Sequence, residues 1–269
     1  MGMFLIIDME KKIPFIVVAA GYSNYDREYP AHVEKFGENN VVNTTTKGRF
    51  SVQEHIDELH ELLPKEKEYL LIGHSMGIPT TIELMNKIPL ENCKGAVFVA
   101  GSRIQKSHWF FEFLFSLPVP LIYVMGSLLT LLFPINLFVY KFNFHKTFQA
   151  SFDGIWRLIV SGAGNMKREY WDCLKKIGRD VHGVLEENQE IPILFLRLAK
   201  DKLVNDEDVE YTKTFFKNIK EIILPYDSIH LTHDYDFLVM DVIGEQLDFF
   251  GYEKITTSLG KGIKKSKKK

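Results

Sequence analysis

Residues 68–85 restrict the possible folds of this chain more than any other part of it. Residues 69–72 form an apolar run that predicts a buried strand, because it is bounded on both sides and too short for a core helix. The run leads directly into Gly73-His74-Ser75-Met76-Gly77, and from Ile78 onwards apolar residues recur at helical spacing. The pattern predicts a strand that turns sharply into a helix, with a serine on the turn.

The glycines of this turn have a physical reason. A serine on a tight strand-to-helix turn adopts a strained backbone conformation, and a Cβ two residues to either side would collide with the neighbouring strand or helix. The turn raises the Ser75 hydroxyl above the edge of the sheet. It also aims the first helical N–H groups, beginning with that of Met76, at an oxyanion formed beside the serine. We expect His74 to pack beside the turn and not to act in catalysis.

Further apolar runs predict a sheet whose strands alternate with helices. We predict strands at residues 4–7, 14–20, 40–43, 94–101, 191–198 and 221–224. We predict helices at residues 52–63, 77–87, 148–161, 167–177, 206–217 and 235–250. Ser51 and Glu54 have the spacing of a capping box at the start of the first of these helices. The alternation predicts an α/β fold with a parallel sheet.

The alternation stops between residues 102 and 189, where no run predicts a strand. Within this segment, residues 110–140 carry a single charge, that of Glu112, and are interrupted by prolines. The longest apolar piece without proline is residues 121–133. Spanning a bilayer takes about 20 apolar residues, so this piece is too short to cross one.

The composition limits the cellular setting and the partners. The two cysteines, Cys93 and Cys173, are isolated, and the N-terminus has no basic segment before its apolar run, so we expect a cytoplasmic protein. Six of the last nine residues are lysines. We expect a solvated tail, with attraction to an anionic membrane surface, about 1 kcal/mol per lysine, as the alternative. Nucleic acid is not an expected partner, because no basic face with interleaved aromatic residues accompanies the tail.

The strand, the G-H-S-M-G turn and the helix resemble the nucleophile elbow of the α/β-hydrolases. The resemblance implies a mostly parallel, doubly wound sheet and a catalytic triad in the chain order serine, acid, histidine, with Ser75 as the nucleophile. Asp201 follows the predicted strand at 191–198 in the manner of the family's catalytic acid. Two histidines follow the last predicted strand. We favour His233 as the base for its spacing to the last helix, with His230 as the alternative.

The resemblance has two further implications. In this family the loop after the strand at 14–20 supplies the second oxyanion donor, which implies the backbone N–H of Tyr22 beside that of Met76. The family also carries a helical cap where this chain has its inserted segment. The implied organisation is a hydrolase core of residues 1–101 and 190–254, a helical cap or lid at 102–189 and a basic, disordered tail at 255–269.

The resemblance implies a serine hydrolase that cleaves carboxylic esters through an acyl-enzyme, with no cofactor and no metal. The apolar cap and the lysine tail favour a lipid-like ester, such as a monoacylglycerol or a lysophospholipid. They also favour peripheral contact with a membrane or lipid surface through residues 110–140 and the tail. The alternatives are another acyl-transfer enzyme, namely a thioesterase, peptidase or acyltransferase, and a non-catalytic, membrane-associated scaffold.

Overall fold

The computed structural model describes most of the chain. The described residues are 13–22, 29–45, 48–104, 109–131, 162–199, 201, 204–224 and 236–255. The strand predicted at 4–7, the helix predicted at 148–161 and the tail from residue 256 lie outside them.

The described strands form one parallel sheet. They are β1 (Phe15–Ala19), β2 (Val41–Asn43), β3 (Tyr69–His74), β4 (Cys93–Val99), β5 (Ile193–Leu198) and β6 (Ile219–Leu224). Their order across the sheet is β2-β1-β3-β4-β5-β6, and every neighbouring pair is parallel. The central strands contain short apolar runs, such as residues 69–72 in β3 and 193–196 in β5, because parallel sheets are covered on both faces.

Helices cover both faces of this sheet. They are α1 (Pro30–Phe36), α2 (Val52–Leu62), α3 (Gly77–Lys87), α4 (Trp109–Ser116), α5 (Val119–Leu131), α6 (Ala163–Arg168), α7 (Asp206–Lys213) and α8 (Asp236–Glu245). Shorter turns are a π-helix (Glu169–Leu174) that continues α6 and 3₁₀-helices at Glu38–Asn40, Glu186–Asn188 and Leu247–Phe250. Alternate side chains of β1 enter opposite cores. Ile16 packs in the core that contains α1 and α8, and Val17 packs in the core that contains α2, α3 and α7. The predicted α/β class with a doubly wound parallel sheet is confirmed.

The order in which strands are added to the sheet changes direction between β1 and β3. β2 pairs with one edge of β1, whereas β3 pairs with the other, where Ala19 lies opposite Gly73. The connections from these two strands therefore leave in opposite directions, and a crevice opens outside their carboxyl ends. In open α/β sheets this is the place where ligands bind.

Two predicted helices have different ends in the structure. α7 ends at Lys213, not at residue 217, because the chain tightens into 3₁₀-type bonds that carry the rings of Phe215 and Phe216 into the core. The helix predicted at 235–250 ends at Glu245 and continues as a 3₁₀-helix. The capping box of α2 is present as predicted: the Ser51 hydroxyl accepts from the Glu54 N–H, and the Glu54 carboxylate accepts from the Ser51 N–H.

The described residues between 102 and 189 contain helices and no strand, as predicted. Buried side chains join the two ends of this segment to each other and to the core. Arg103 donates from its guanidinium to the backbone carbonyls of Gly178, Arg179 and Val181. The amide of Asn188 makes three hydrogen bonds, 2.7–2.9 Å long, to backbone groups between residues 85 and 90. Within the described parts of the chain, no helix is long and apolar enough to span a bilayer.

α1 carries a buried histidine, His32. Its ring packs edge-on against Tyr29, with 4.9 Å between the ring centroids. Among the described residues neither ring nitrogen has a hydrogen-bond partner. Burial disfavours the charged form, and it lowers the pKa of His32 to about 3.

We predict that His32 makes the fold sensitive to acid. Its folded pKa lies below the unfolded value of about 6.5, so the unfolded chain binds more protons below that pH. The contribution of His32 to stability is complete above pH 6.5 and is lost as the pH falls towards 3, by about 1.4 kcal/mol per pH unit. The variant His32→Phe removes this titration. In urea unfolding at pH 7.5 and pH 5 it should lose about 2 kcal/mol less than the wild type; an equal loss would contradict the prediction.

Candidate active site

Ser75 occupies the turn between β3 and α3 with a left-handed backbone, φ +54°. This conformation costs a non-glycine residue about 1–2 kcal/mol, so the surroundings have to impose it. Two hydrogen bonds do so. The Ser75 N–H donates to the carbonyl of Val99 at 3.0 Å, and the Ser75 carbonyl accepts from the Ile78 N–H at 3.1 Å. The serine is therefore fixed at the carboxyl ends of β3 and β4.

The glycines on either side of Ser75 allow this turn, as the sequence predicted. A Cβ on Gly77 would lie 1.9 Å from the carbonyl oxygen of Ala19, the last residue of β1. A Cβ on Gly73 would lie 3.0 Å from the Cα of Ile78 in α3. The start of α3 thus passes directly over the end of β1, which only a residue without a side chain permits.

The residues of the two predicted oxyanion donors lie close to the serine. Met76 is fully buried and precedes the first turn of α3, where N–H groups have no intrahelical acceptor. Tyr22 follows Gly21, and a Cβ added to Gly21 would lie 3.4 Å from the Cβ of Ser75. Met76 and Tyr22 also pack in one apolar cluster with Cys173. The structure therefore brings Ser75, Met76 and Tyr22 together in the crevice between β1 and β3.

Two side chains that have no sequence motif hold the loop after β1. The Thr44 hydroxyl accepts from the Ala20 N–H at 2.8 Å, and the Tyr29 hydroxyl accepts from the Gly21 N–H at 3.3 Å. The ring of Tyr29 also packs edge-on against His74, with the centroids 6.5 Å apart. His74 thus lies beside the turn, as expected.

The segment that contains the π-helix at Glu169–Leu174 contacts Tyr22. Tyr170 packs edge-on against Tyr22, and the Tyr22 hydroxyl donates to the carbonyl of Met166 at 2.9 Å. Ser75 is only 7% exposed. Helical segments of this kind are rare and are frequently found at functional sites. The sequence predicted a helix here, but the widened turn has no local signal.

Asp201 follows β5 at the same edge of the sheet. Its N–H points back to the carbonyl of Leu198, at 3.5 Å. The residue lines a cavity of about 190 Å³ together with Ala100 and Gly101, which follow β4. The Ala100 N–H in turn bonds the carbonyl of Leu196 in β5. Asp201 therefore lies at the ends of β4 and β5, on the side where Ser75 bonds Val99.

Both candidate bases lie outside the described residues. His230 and His233 fall in the connection between β6, which ends at Leu224, and α8, which begins at Asp236. That connection leaves the sheet at the carboxyl edge, where Ser75 and Asp201 lie. The choice between the two histidines stays a prediction.

The described residues contain no cluster of three or more acidic, histidine or cysteine side chains that could hold a metal ion. Cys93 and Cys173 are free thiols. Burial raises the pKa of the Cys93 thiol to about 12 and also raises that of Cys173. Thiols of this kind are poor nucleophiles. The described nucleophile candidate in the crevice is therefore Ser75.

Comparison with solved structures identifies the fold. An α/β-hydrolase, MGS-M2, from a Medee basin deep-sea metagenome library is 16% identical with a TM-score of 0.56, and the match covers 94% of each chain. A hydrolase from Oleispira antarctica is 11% identical with a TM-score of 0.64, over 88% of this chain and 91% of that one. A lipase-esterase related protein from Clostridium acetobutylicum is 16% identical with a TM-score of 0.57, over 87% and 93%.

No family sequence model matches the chain, and no curated protein sequence does. The structural matches, the parallel sheet and the turn at Ser75 nevertheless agree. The chain has the α/β-hydrolase fold.

We predict that Gly77→Ala disrupts this turn. The added Cβ would meet the Ala19 carbonyl at 1.9 Å, so α3 has to move away from β1. We expect a loss of about 3 kcal/mol or more in urea unfolding. The matched control is Gly183→Ala, because a Cβ there meets nothing within 4 Å. The control should change stability by less than about 1 kcal/mol, and equal effects of the two substitutions would contradict the account.

Proposed function

We propose that the protein is a serine hydrolase that cleaves carboxylic esters. The observation that carries the proposal is the left-handed backbone of Ser75 at the crevice between β1 and β3, with Gly77 pressed against Ala19. In a nucleophile elbow, a serine with this backbone conformation presents its hydroxyl to the substrate beside the first helical N–H groups. An ordinary glycine turn requires neither feature.

The proposed mechanism assigns one role to each residue. A serine hydroxyl is a weak nucleophile at neutral pH, so His233, with His230 as the alternative, accepts its proton as Ser75 attacks the ester carbonyl. Asp201 orients the imidazole and stabilises its charged form. The N–H groups of Met76 and Tyr22 stabilise the oxyanion, and losing one such donor costs about 3 kcal/mol of barrier.

The reaction then proceeds in two halves. The histidine returns its proton to the departing alcohol, which leaves an acyl group on Ser75. Water attacks this acyl-enzyme with the same histidine as base, and the histidine then returns that proton to the Ser75 hydroxyl oxygen as the bond to the acyl group breaks and the acid is released. The cycle balances without a cofactor, because every proton that leaves the nucleophile is returned to a leaving group.

We propose a lipid-like ester as the substrate, with residues 102–189 as a cap over the serine. The described part of this segment supports the proposal through an aromatic and aliphatic cluster that reaches the loop after β1, which carries Tyr22. It contains Leu114, Phe115, Ile122 and Tyr170, and Tyr22 packs against it. Such a wall favours an acyl chain over a polar substituent.

Other acyl-transfer reactions use the same fold, so a thioesterase, a peptidase or an acyltransferase stays the alternative. A membrane-associated scaffold without activity is the second alternative. These alternatives predict different results in one assay, since a scaffold hydrolyses nothing and a peptidase or thioesterase prefers amides or thioesters to oxygen esters of equal chain length.

We predict that the protein hydrolyses p-nitrophenyl esters and prefers octanoyl or longer chains to acetyl. Ser75→Ala should lower kcat by about 10⁴-fold or more, because the nucleophile is lost. The control is Ser116→Ala, which removes an exposed hydroxyl that bonds the Phe113 carbonyl and should leave kcat unchanged. A preference for acetyl would contradict the lipid substrate. Activity retained in Ser75→Ala would contradict the assigned nucleophile, and His233→Ala compared with His230→Ala tests the assigned base.

A further inference from the structure

α4 and α5 expose large apolar side chains to solvent. Trp109 is 69% exposed, Phe113 49%, Leu121 47%, Val124 52% and Leu128 47%. Single exposed apolar residues are normal on a protein surface, but a contiguous group of large ones marks a site of interaction. These five residues, which we call the outer face, lie on two consecutive helices.

The spacing places the outer face on one side of each helix. Trp109 and Phe113 are four residues apart on α4, and Leu121, Val124 and Leu128 follow the three-, four-residue spacing on α5. The opposite sides of the two helices are buried through other apolar residues, namely Leu114, Phe115 and Ile122. Both helices are therefore apolar on the inner and on the outer side, which is typical of helices that are covered on both sides.

The charges on these helices and the composition of the C-terminal sequence favour an anionic occupant. α5 contains no charged residue, and the one acid of α4, Glu112, is paired with Lys175. Lys167 reaches the turn between the helices, where its ammonium donates to the Leu117 carbonyl at 2.7 Å. No acid follows Glu253 in the sequence, whereas six of the last nine residues are lysines.

We propose that the outer face docks on an anionic phospholipid surface. The apolar side chains enter the boundary between headgroups and acyl chains, and Lys167 and the lysines of the C-terminal sequence contact the lipid headgroups. A second copy of this chain is a poorer occupant, because its own α4 and α5 offer the lysines no unpaired acid: α5 is uncharged, and Glu112 is paired with Lys175. Neither helix needs to cross the bilayer for this mode of binding.

The biological purpose that we assign to this docking rests on the proposed function. The buried sides of the same helices belong to the cluster that reaches Tyr22 in the loop after β1. The ring centroids of Phe115 and Tyr170 lie 4.9 Å apart, and those of Tyr170 and Tyr22 lie 6.4 Å apart. A continuous set of aromatic contacts thus connects these helices to Tyr22, beside the proposed site. A lipid ester would be taken up from the surface to which the protein is bound.

The proposal is tested by flotation of the full-length chain with vesicles. We expect the wild type to float with phosphatidylcholine vesicles that contain phosphatidylserine, and less with phosphatidylcholine alone. The double variant Val124→Asn/Leu128→Asn should lower the partition coefficient about tenfold or more, because two apolar side chains no longer leave water. The matched control is Ile223→Asn, which removes a 59% exposed side chain from β6 and should bind as the wild type does.

Three outcomes of the flotation assay would overturn the proposal: no flotation of the wild type, equal flotation of the double variant, or an equal loss in Ile223→Asn. Concentration-dependent dimers that the double variant abolishes would assign the outer face to a second copy and also overturn it. Thermal unfolding midpoints check that all variants are folded.

Emission of Trp109 adds a local readout. The emission should shift to the blue on vesicle binding, and the shift should be lost in Trp109→Phe. Ser75→Ala should bind vesicles as the wild type does, so a failure of docking is distinguishable from a failure of hydrolysis.

Discussion

The fold and the proposed site depend on the close approach of two backbone segments at the end of β3. α3 begins so near to β1 that a side chain at Gly77 would overlap the carbonyl oxygen of Ala19. Beside this approach, hydrogen bonds with Val99 and Ile78 hold Ser75 at a positive φ. Because the strand order divides between β1 and β3, the same contact places the serine in the crevice that open α/β sheets use for ligands.

Much of the core could be predicted because its signals are local. β3 and β5 each contain a run of four apolar residues, and Ser51 and Glu54 satisfy each other's backbone within four residues. The glycines around Ser75 specify the turn in the same way, since only they leave room for the neighbouring strand and helix. Each of these patterns is complete within a short stretch of sequence, so no knowledge of distant contacts was needed.

The remaining features depend on residues that are far apart in the sequence. Tyr29 and Thr44 hold the loop after β1 through single hydrogen bonds, and neither residue belongs to a recognisable pattern. The early end of α7 follows from burial of Phe215 and Phe216, which its helical spacing does not indicate. The outer face of α4 and α5 could be predicted as apolar, but only the structure separates the side chains that are buried from those that are exposed.

The central claim is that Ser75 is an activated nucleophile, and labelling with a fluorophosphonate tests it most directly. Trypsin should release residues 68–87 as one peptide, in which Ser75 is the only serine. Mass spectrometry of the labelled wild-type protein should place a single phosphonyl group on that peptide. A folded protein that stays unlabelled, or that carries the label on a serine elsewhere, would contradict the account.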